Sequence, residues 1–219
     1  MKINTAPNEY YHIYNRGVEK RNIFLNENDY WRFMTLLIIF QGKAHVPQVS
    51  RIVTDVKHSM FDKEIFEEIL SKRTVELICF SLMPNHFHLI LKEIKEGGII
   101  NFMQRLGDAY TKYFNLKYRR TGHLLGGRYQ SIHINKDNYL KHLSSYIHLN
   151  PRELKHWAGK ENLYPWSSFQ DYTNTNRWGK FLSHSVILEQ FKNKKHYCNF
   201  VLTSEIRSKM KSILDLFID

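Results

Sequence analysis

Hydrophobic and polar positions along the chain follow two periods, which together predict a protein that mixes helices and strands. Runs rich in β-branched and aromatic residues indicate strands, whereas apolar residues that recur every three or four positions indicate helices. Strands are predicted at residues 10–15, 74–82, 83–91 and 128–134. Helices are predicted at residues 28–40, 61–70, 99–122 and 136–150, and residues 43–60 are polar and predicted to be irregular.

The order of these elements predicts the fold class. The first six main elements read β-α-β-β-α-β, the split-βαβ pattern of ferredoxin-like folds. We therefore expect an α+β fold, a four-stranded antiparallel sheet with helices on one face, followed by one further helix. Residues 1–151 should form this domain, with 43–73 as a candidate insertion. Residues 152–219 should form an aromatic and basic extension packed on the same domain, with helices near 186–192 and 204–217.

The charge of the chain indicates what kind of partner it has. The 219 residues include 32 Lys and Arg against 21 Asp and Glu, a formal net charge of +11. Such an excess favours a polyanionic partner, above all a nucleic acid. The alternative, a basic surface that is simply solvated, has about equal weight on charge alone.

Other features disfavour several classes of protein. The two cysteines, Cys79 and Cys198, lie far apart in the sequence, which argues against a disulfide framework and a thiolate zinc site. No apolar run approaches the roughly 20 residues of a membrane span. The first residues also lack the apolar core of a signal peptide. We expect a soluble, cytoplasmic protein with no membrane partner.

A pair of histidines is the strongest candidate for chemistry. His86 and His88 are separated by one residue within the predicted strand 83–91. Side chains alternate across a strand, so both imidazoles should lie on the same face. Two neutral imidazoles on one face can bind a divalent metal ion. The alternative is that both are structural histidines satisfied by hydrogen bonds.

The helix predicted at 136–150 has two different stripes. An apolar stripe should pack on the sheet and consists of Leu140, Leu143 and Ile147. The adjoining stripe is polar and aromatic and consists of Tyr139, His142, Tyr146 and Asn150. If the helix lies beside the histidine strand, one turn brings a phenol and an amide oxygen to the metal site. A tyrosine can attack phosphorus, and a metal ion can stabilise the phosphate charge.

These stretches resemble a known family. Residues 83–89, Met-Pro-Asn-His-Phe-His-Leu, resemble the HUH motif of single-tyrosine transposases, and residues 146–151, Tyr-Ile-His-Leu-Asn-Pro, resemble their catalytic tyrosine helix. Further resemblance lies in residues 12–17 and 164–168, so that about residues 8–172 are covered. The most similar group is that of the REP-associated tyrosine transposases, relatives of the smallest insertion-sequence transposases, the IS200-like group.

The resemblance implies a reaction and roles for individual residues. Members of the family cut single-stranded DNA, often next to a hairpin, and form a 5′-phosphotyrosine intermediate with Mg or Mn as the divalent metal. It implies that His86 and His88 bind the metal, that Tyr146 is the nucleophile and that Asn150 is the third ligand, a position held by Gln in some relatives. Some relatives are homodimers in which the tyrosine helix acts on the partner's histidines, and others are monomers that act in cis, so a homodimer stays open here.

Several assignments keep alternatives at this point. Tyr139 is a rival nucleophile, because it lies on the same stripe seven residues before Tyr146. DNA phosphate contacts are expected from Arg16, Arg105, Arg128, Lys136 and His142, with solvated charge as the alternative for each. The alternative functions are a hydrolytic metal-dependent phosphoesterase, in which Tyr146 has no role, and a nucleic-acid-binding module of ferredoxin-like fold without catalysis.

Overall fold

A single antiparallel sheet forms the centre of the protein. The computed structural model describes residues 5–44, 46, 48–58 and 62–204. The strands of this part of the chain are β1 (Tyr10–Arg16), β2 (Val75–Met83), β3 (His86–Glu93) and β4 (Gln130–Ile134). They pair in the order β2-β3-β1-β4, and all three pairings are antiparallel.

The helices complete the α+β architecture. In chain order they are α1 (Glu27–Ile39), α2 (Val49–Lys57), α3 (Lys63–Ser71), α4 (Gly98–Lys117), α5 (Asp137–Leu149), α6 (Phe169–Thr173), α7 (Ser185–Leu188) and α8 (Lys194–Leu202). The predicted ferredoxin-like arrangement, with an added helix and a helical extension, is confirmed. No helix in the described ranges is both long enough and apolar enough to cross a bilayer.

Two parts of the predicted pattern were wrong in detail. The segment 43–60, predicted to be irregular, contains α2, because Ile52 and Val56 recur at helical spacing and are buried. The helix predicted near 186–192 is only the short α7, and α8 was not predicted. The side chain of Asn193 caps α8 by accepting a hydrogen bond from the backbone N–H of His196. The helix predicted at 204–217 lies outside the described residues, apart from Ser204, which is not helical.

The two faces of the sheet are covered by different helices. On β3, Phe87 points to one face, where its ring lies 5.1 Å from that of Phe33 on α1. Phe33 in turn contacts Tyr110 of α4 at 4.9 Å, so α1 and α4 share this face. His86 and His88 point to the opposite face, which we call the histidine face, and α5 packs there.

Residues after α5 extend along the outer edge of β2. The hydroxyl of Tyr164 donates to the carbonyl of Leu82 at 2.7 Å, and the Leu82 N–H donates to the carbonyl of Trp166 at 2.8 Å. An isolated bridge between Ser81 and Ser167 continues this pairing. The motif at 164–168 therefore covers an edge strand and satisfies backbone groups that would otherwise be open for pairing.

Candidate active site

Both histidines lie near the start of β3, which follows a tight turn. His88 is 1% exposed, and the two imidazole centroids are 5.2 Å apart. His86 Nδ1 lies 2.7 Å from Asn85 Oδ1, which as a carbonyl oxygen accepts, so the Nδ1 of His86 carries the proton. His88 Nδ1 lies 3.0 Å from His12 Nε2. Both histidines thus use Nδ1 for contacts within the protein, which leaves Nε2 as the nitrogen suited to bind a metal ion.

The surroundings keep both imidazoles neutral. Burial lowers the pKa of His86 to about 4, and this effect outweighs the nearby carboxylate of Glu153, which acts in the opposite direction. Burial also holds the pKa of His88 well below its ordinary value of 6.5, and the neighbouring His12 and His86 lower it further. Neutral imidazoles are the form that binds metal ions.

Helix α5 brings Tyr146 and Asn150 to the same place. The ring centroid of Tyr146 lies 5.7 Å from that of His88, and Tyr146 is 6% exposed. Asn150 follows the last residue of α5, and its Nδ2 donates to the carbonyl of Tyr146 at 3.0 Å. The side chain of Asn150 also lies close enough to His86 to raise the pKa of that imidazole, an effect smaller than the lowering by burial. The amide nitrogen is therefore directed into the helix and the amide oxygen toward the histidines.

These residues fit a divalent metal ion. Two imidazole nitrogens and an amide oxygen form a neutral donor set that leaves coordination positions for water and phosphate oxygens. The described part of the chain contains no group of three or more His, Cys, Asp or Glu residues able to hold a metal ion, and in the set predicted from the sequence the third ligand would be the amide oxygen of Asn150. The sequence reasoning missed Glu153, which lies close enough to raise the pKa of His86 and carries no sequence signal beyond its position after Pro151.

Basic residues lie around this donor set. Arg16 is opposite His86 in the pairing of β1 with β3, so the two side chains share the histidine face, and the charge of Arg16 lowers the pKa of His86. The Nε of Arg16 is buried and has no hydrogen-bond partner among the described residues. Arg128 is exposed in the loop whose Gly126 N–H donates to the carbonyl of Arg16. Lys136 is exposed at the start of α5.

Two further candidates contact other parts of the protein. Arg105 donates from Nη1 to the carbonyl of Gly42 at 3.0 Å, and its guanidinium lies 4.2 Å from the ring centroid of Phe40. It belongs to α4, which covers the opposite face of the sheet. The ring of His142 packs against Phe200 of α8 at 5.3 Å. No described contact joins either side chain to the histidine pair.

The rival tyrosine lies elsewhere on α5. Tyr139 is half-buried, and burial raises the pKa of its hydroxyl. It interacts electrostatically with Tyr14 of β1, whose pKa is raised to about 12 mainly by burial and also by Tyr139. Of the two α5 tyrosines, Tyr146 is the one with a described ring contact to His88, and Tyr14 of β1 also contacts His88, at 5.6 Å between ring centroids.

Strand β1 adds residues to the site that had no assigned role. His12 is fully buried and contacts His88, and Tyr14 lies directly opposite His88 in the strand register. The alternation of β1 puts His12, Tyr14 and Arg16 on one face, so this grouping was visible in the sequence.

Comparisons with known proteins bear on the family and the fold of this chain. A family model described as "Transposase IS200 like" matches residues 45–150, which include the two histidines, Tyr146 and Asn150. No curated protein matches the chain. A solved structure titled "Structure of the REP associates tyrosine transposase bound to a REP hairpin" has a similar fold, with a TM-score of 0.50 and 14% sequence identity. The similarity covers 85% of this chain and 92% of that one. The resemblance inferred from the sequence is therefore confirmed: residues 45–150 match the IS200-like transposases, a family that carries out DNA transposition, and the chain shares the fold of a REP-associated tyrosine transposase.

Proposed function

We propose that this protein cuts and rejoins single-stranded DNA with Tyr146 as the nucleophile, as part of DNA transposition. The observation that carries the proposal is the position of Tyr146, whose ring lies 5.7 Å from that of His88 within the same chain. A phenol beside a pair of neutral imidazoles supports phosphoryl transfer to tyrosine, because a metal ion held there would stabilise charge on the phosphate.

The reaction conserves the energy of the phosphodiester bond. The hydroxyl of Tyr146 gives up its proton and its oxygen attacks phosphorus. The bond to the 3′ oxygen breaks, and that oxygen takes up a proton and leaves as a hydroxyl. The product is a 5′-phosphotyrosine, which a 3′ hydroxyl attacks in the reverse sense to rejoin a strand without ATP. A divalent ion, Mg or Mn, held by His86, His88 and Asn150 would stabilise charge on the phosphate.

Residues of the chain position the DNA and offset its charge. Arg16 lies opposite His86, and the Nε of its guanidinium, which has no hydrogen-bond partner within the described part of the chain, suits a phosphate oxygen. The net charge of +11 supports binding of a polyanion. We further propose a single strand next to a hairpin as the substrate, because a structure of similar fold was solved with a REP hairpin.

Recovery of a covalent protein–DNA adduct tests the proposal. Hairpin DNA with a single-stranded flank, labelled at its 3′ end, is incubated with protein and Mn²⁺ and resolved on a denaturing gel. We expect a shifted band that disappears with Tyr146→Phe and persists with the matched variant Tyr139→Phe. His86→Ala should remove cleavage while leaving much of the salt-dependent DNA binding.

The same gel separates the alternative functions. Cleavage without an adduct, unaffected by Tyr146→Phe, would show a hydrolytic phosphoesterase. Binding without cleavage under all metal conditions would show a nucleic-acid-binding module. An adduct that is lost with Tyr139→Phe and kept with Tyr146→Phe would transfer the role of nucleophile to Tyr139.

A further inference from the structure

We propose that His12 is a positioning residue for His88, and that it holds His88 in the tautomer and ring orientation that expose Nε2 to the metal ion. The inference rests on the proposed metal role of His88. It adds a residue of β1, outside the matched segment 45–150, to the functional site.

The geometry of the two rings supports a directed hydrogen bond. His12 Nε2 lies 3.0 Å from His88 Nδ1, and the ring planes are inclined by only 18°. A ring N–H points along its own plane, so two nearly coplanar rings can align donor and acceptor. His12 is 0% and His88 1% exposed, so bulk water does not compete for this contact.

The effect of the contact depends on which of the two ring nitrogens carries the shared proton. One proton lies between the two nitrogens, so either His88 donates from Nδ1 or His12 donates from Nε2. If His12 donates, neutral His88 carries its own proton on Nε2, where it blocks a metal ion. If His88 donates, its Nε2 lone pair is free and His12 carries its proton on Nδ1. Only the second arrangement is compatible with metal binding.

The cost of a histidine at this position argues against simple packing. His12 Nδ1 is buried and has no hydrogen-bond partner among the described residues, and the same holds for the hydroxyl of Tyr14, whose ring lies 4.8 Å away. A buried polar atom without a partner lowers stability. An apolar side chain would fill this space without that penalty. A phenyl or isobutyl group, however, cannot accept a hydrogen bond from the Nδ1–H of His88.

Metal binding without DNA tests the role. Free Mn²⁺ is titrated by electron paramagnetic resonance against the wild-type protein, His12→Phe and His12→Gln. We expect His12→Phe to weaken Mn²⁺ binding by about 10- to 100-fold, the range for removal of a partner behind a metal ligand. Gln places an acceptor oxygen near the position of Nε2, so His12→Gln should retain most of the affinity. His133→Phe serves as the matched control. His133 lies on β4 and pairs with Glu9.

The tautomer of His88 gives a second readout. If His12 only filled space, its substitution would leave that tautomer unchanged. In ¹⁵N-labelled, metal-free protein, long-range ¹H–¹⁵N spectra should show His88 protonated on Nδ1 in the wild type and on Nε2 in His12→Phe. An unchanged tautomer, or equal Mn²⁺ affinity in wild type and His12→Phe, would overturn the inference. A wild-type protein that binds no Mn²⁺ would instead overturn the metal role in the proposed function, and the tautomer would still decide the role of His12.

Discussion

Asp29 shows how a single buried side chain links distant parts of the chain. Its carboxylate accepts hydrogen bonds from the backbone N–H groups of Leu25 and Asn26, and so fixes the start of α1. It also accepts from Tyr118 at 2.7 Å and from Lys117 at 2.6 Å, both at the end of α4. Asp29 is 0% exposed, so its charge depends on these donors rather than on water.

The balance of these effects predicts a pH dependence. Burial alone would raise the pKa of Asp29, but the hydrogen bonds from Lys117, Tyr118 and the Leu25 N–H outweigh it and lower the pKa below 3.8. A carboxyl whose pKa is lower in the folded state stabilises the protein above its unfolded pKa, and this stability is lost as the pH falls through the folded pKa. The contribution of Asp29 should therefore be present near neutral pH and disappear below pH 3.8.

Asp29→Asn tests this account. The change removes the buried charge that pairs with Lys117, which is itself 28% exposed and so stays partly hydrated, and losing hydrogen bonds to a charged group costs about 1.5–3 kcal/mol. We expect that loss in the free energy of unfolding from urea titrations at pH 7, and a smaller difference from wild type as the pH falls below 3.8. Asp108→Asn is the control, because Asp108 is exposed on α4, the helix that ends at Lys117. It should change the free energy of unfolding little. A constant difference at every pH would contradict the assigned charge.

At the scale of elements, α5 is held from behind by a buried polar network. His148 Nδ1 lies 2.7 Å from the hydroxyl of Tyr197 on α8, and His148 Nε2 lies 2.8 Å from Ser168 Oγ and 3.2 Å from Cys79 Sγ. The hydroxyl of Tyr197 donates to Ser144 Oγ at 3.0 Å. In a consistent arrangement, His148 donates from Nδ1 to Tyr197 and accepts at Nε2 from Ser168. The extension thus fixes the helix that carries the proposed nucleophile.

Tyr197→Phe should loosen α5 without touching the histidine face. It leaves the buried Nδ1–H of His148 without its acceptor, which costs about 1–3 kcal/mol. Hydrogen exchange measured by mass spectrometry should then be faster in peptides that cover Asp137–Leu149. Tyr110→Phe is the matched deletion of a buried hydroxyl, because Tyr110 lies on α4 at the opposite face of the sheet and donates to the carbonyl of Ile23. Unchanged exchange in α5 with Tyr197→Phe would argue that apolar packing alone holds the helix.

The same elements show what the sequence can predict. Strand β3 and helix α5 have clear periods of 2 and 3.6, so the shared face of His86 and His88 followed from pattern alone. Pattern left open whether α5 docks beside them, and the choice of Tyr146 over Tyr139 came from the family resemblance. Helices α2 and α8 have only nine residues each and few buried positions, so their periodic signal is short. The contact between His148 and Tyr197 joins residues 49 positions apart, and no local pattern encodes such a pairing.

At the scale of the whole molecule, one chain contains every group that the proposed reaction needs. His88 and Tyr146 come from different elements of the same chain, with ring centroids 5.7 Å apart. Helix α5 is tied to its own β2 through Cys79 and to its own extension through Ser168. An exchange of α5 between two copies would break these buried contacts. We therefore predict that Tyr146 acts on its own histidines, whether or not the protein forms a homodimer.

Mixing two inactive variants tests action in cis. Tyr146→Phe retains the histidine pair, and His88→Ala retains the tyrosine. If the tyrosine helix served a partner, a mixed assembly would join one intact tyrosine with one intact pair of histidines, and adduct formation would return. Because α5 is anchored within its own chain by His148, we expect no adduct from the mixture at any ratio or preincubation time. Wild type diluted with His88→Ala is the control and should lose activity only in proportion to the dilution. Adduct recovery in the mixture would show that α5 leaves its own sheet and acts in trans.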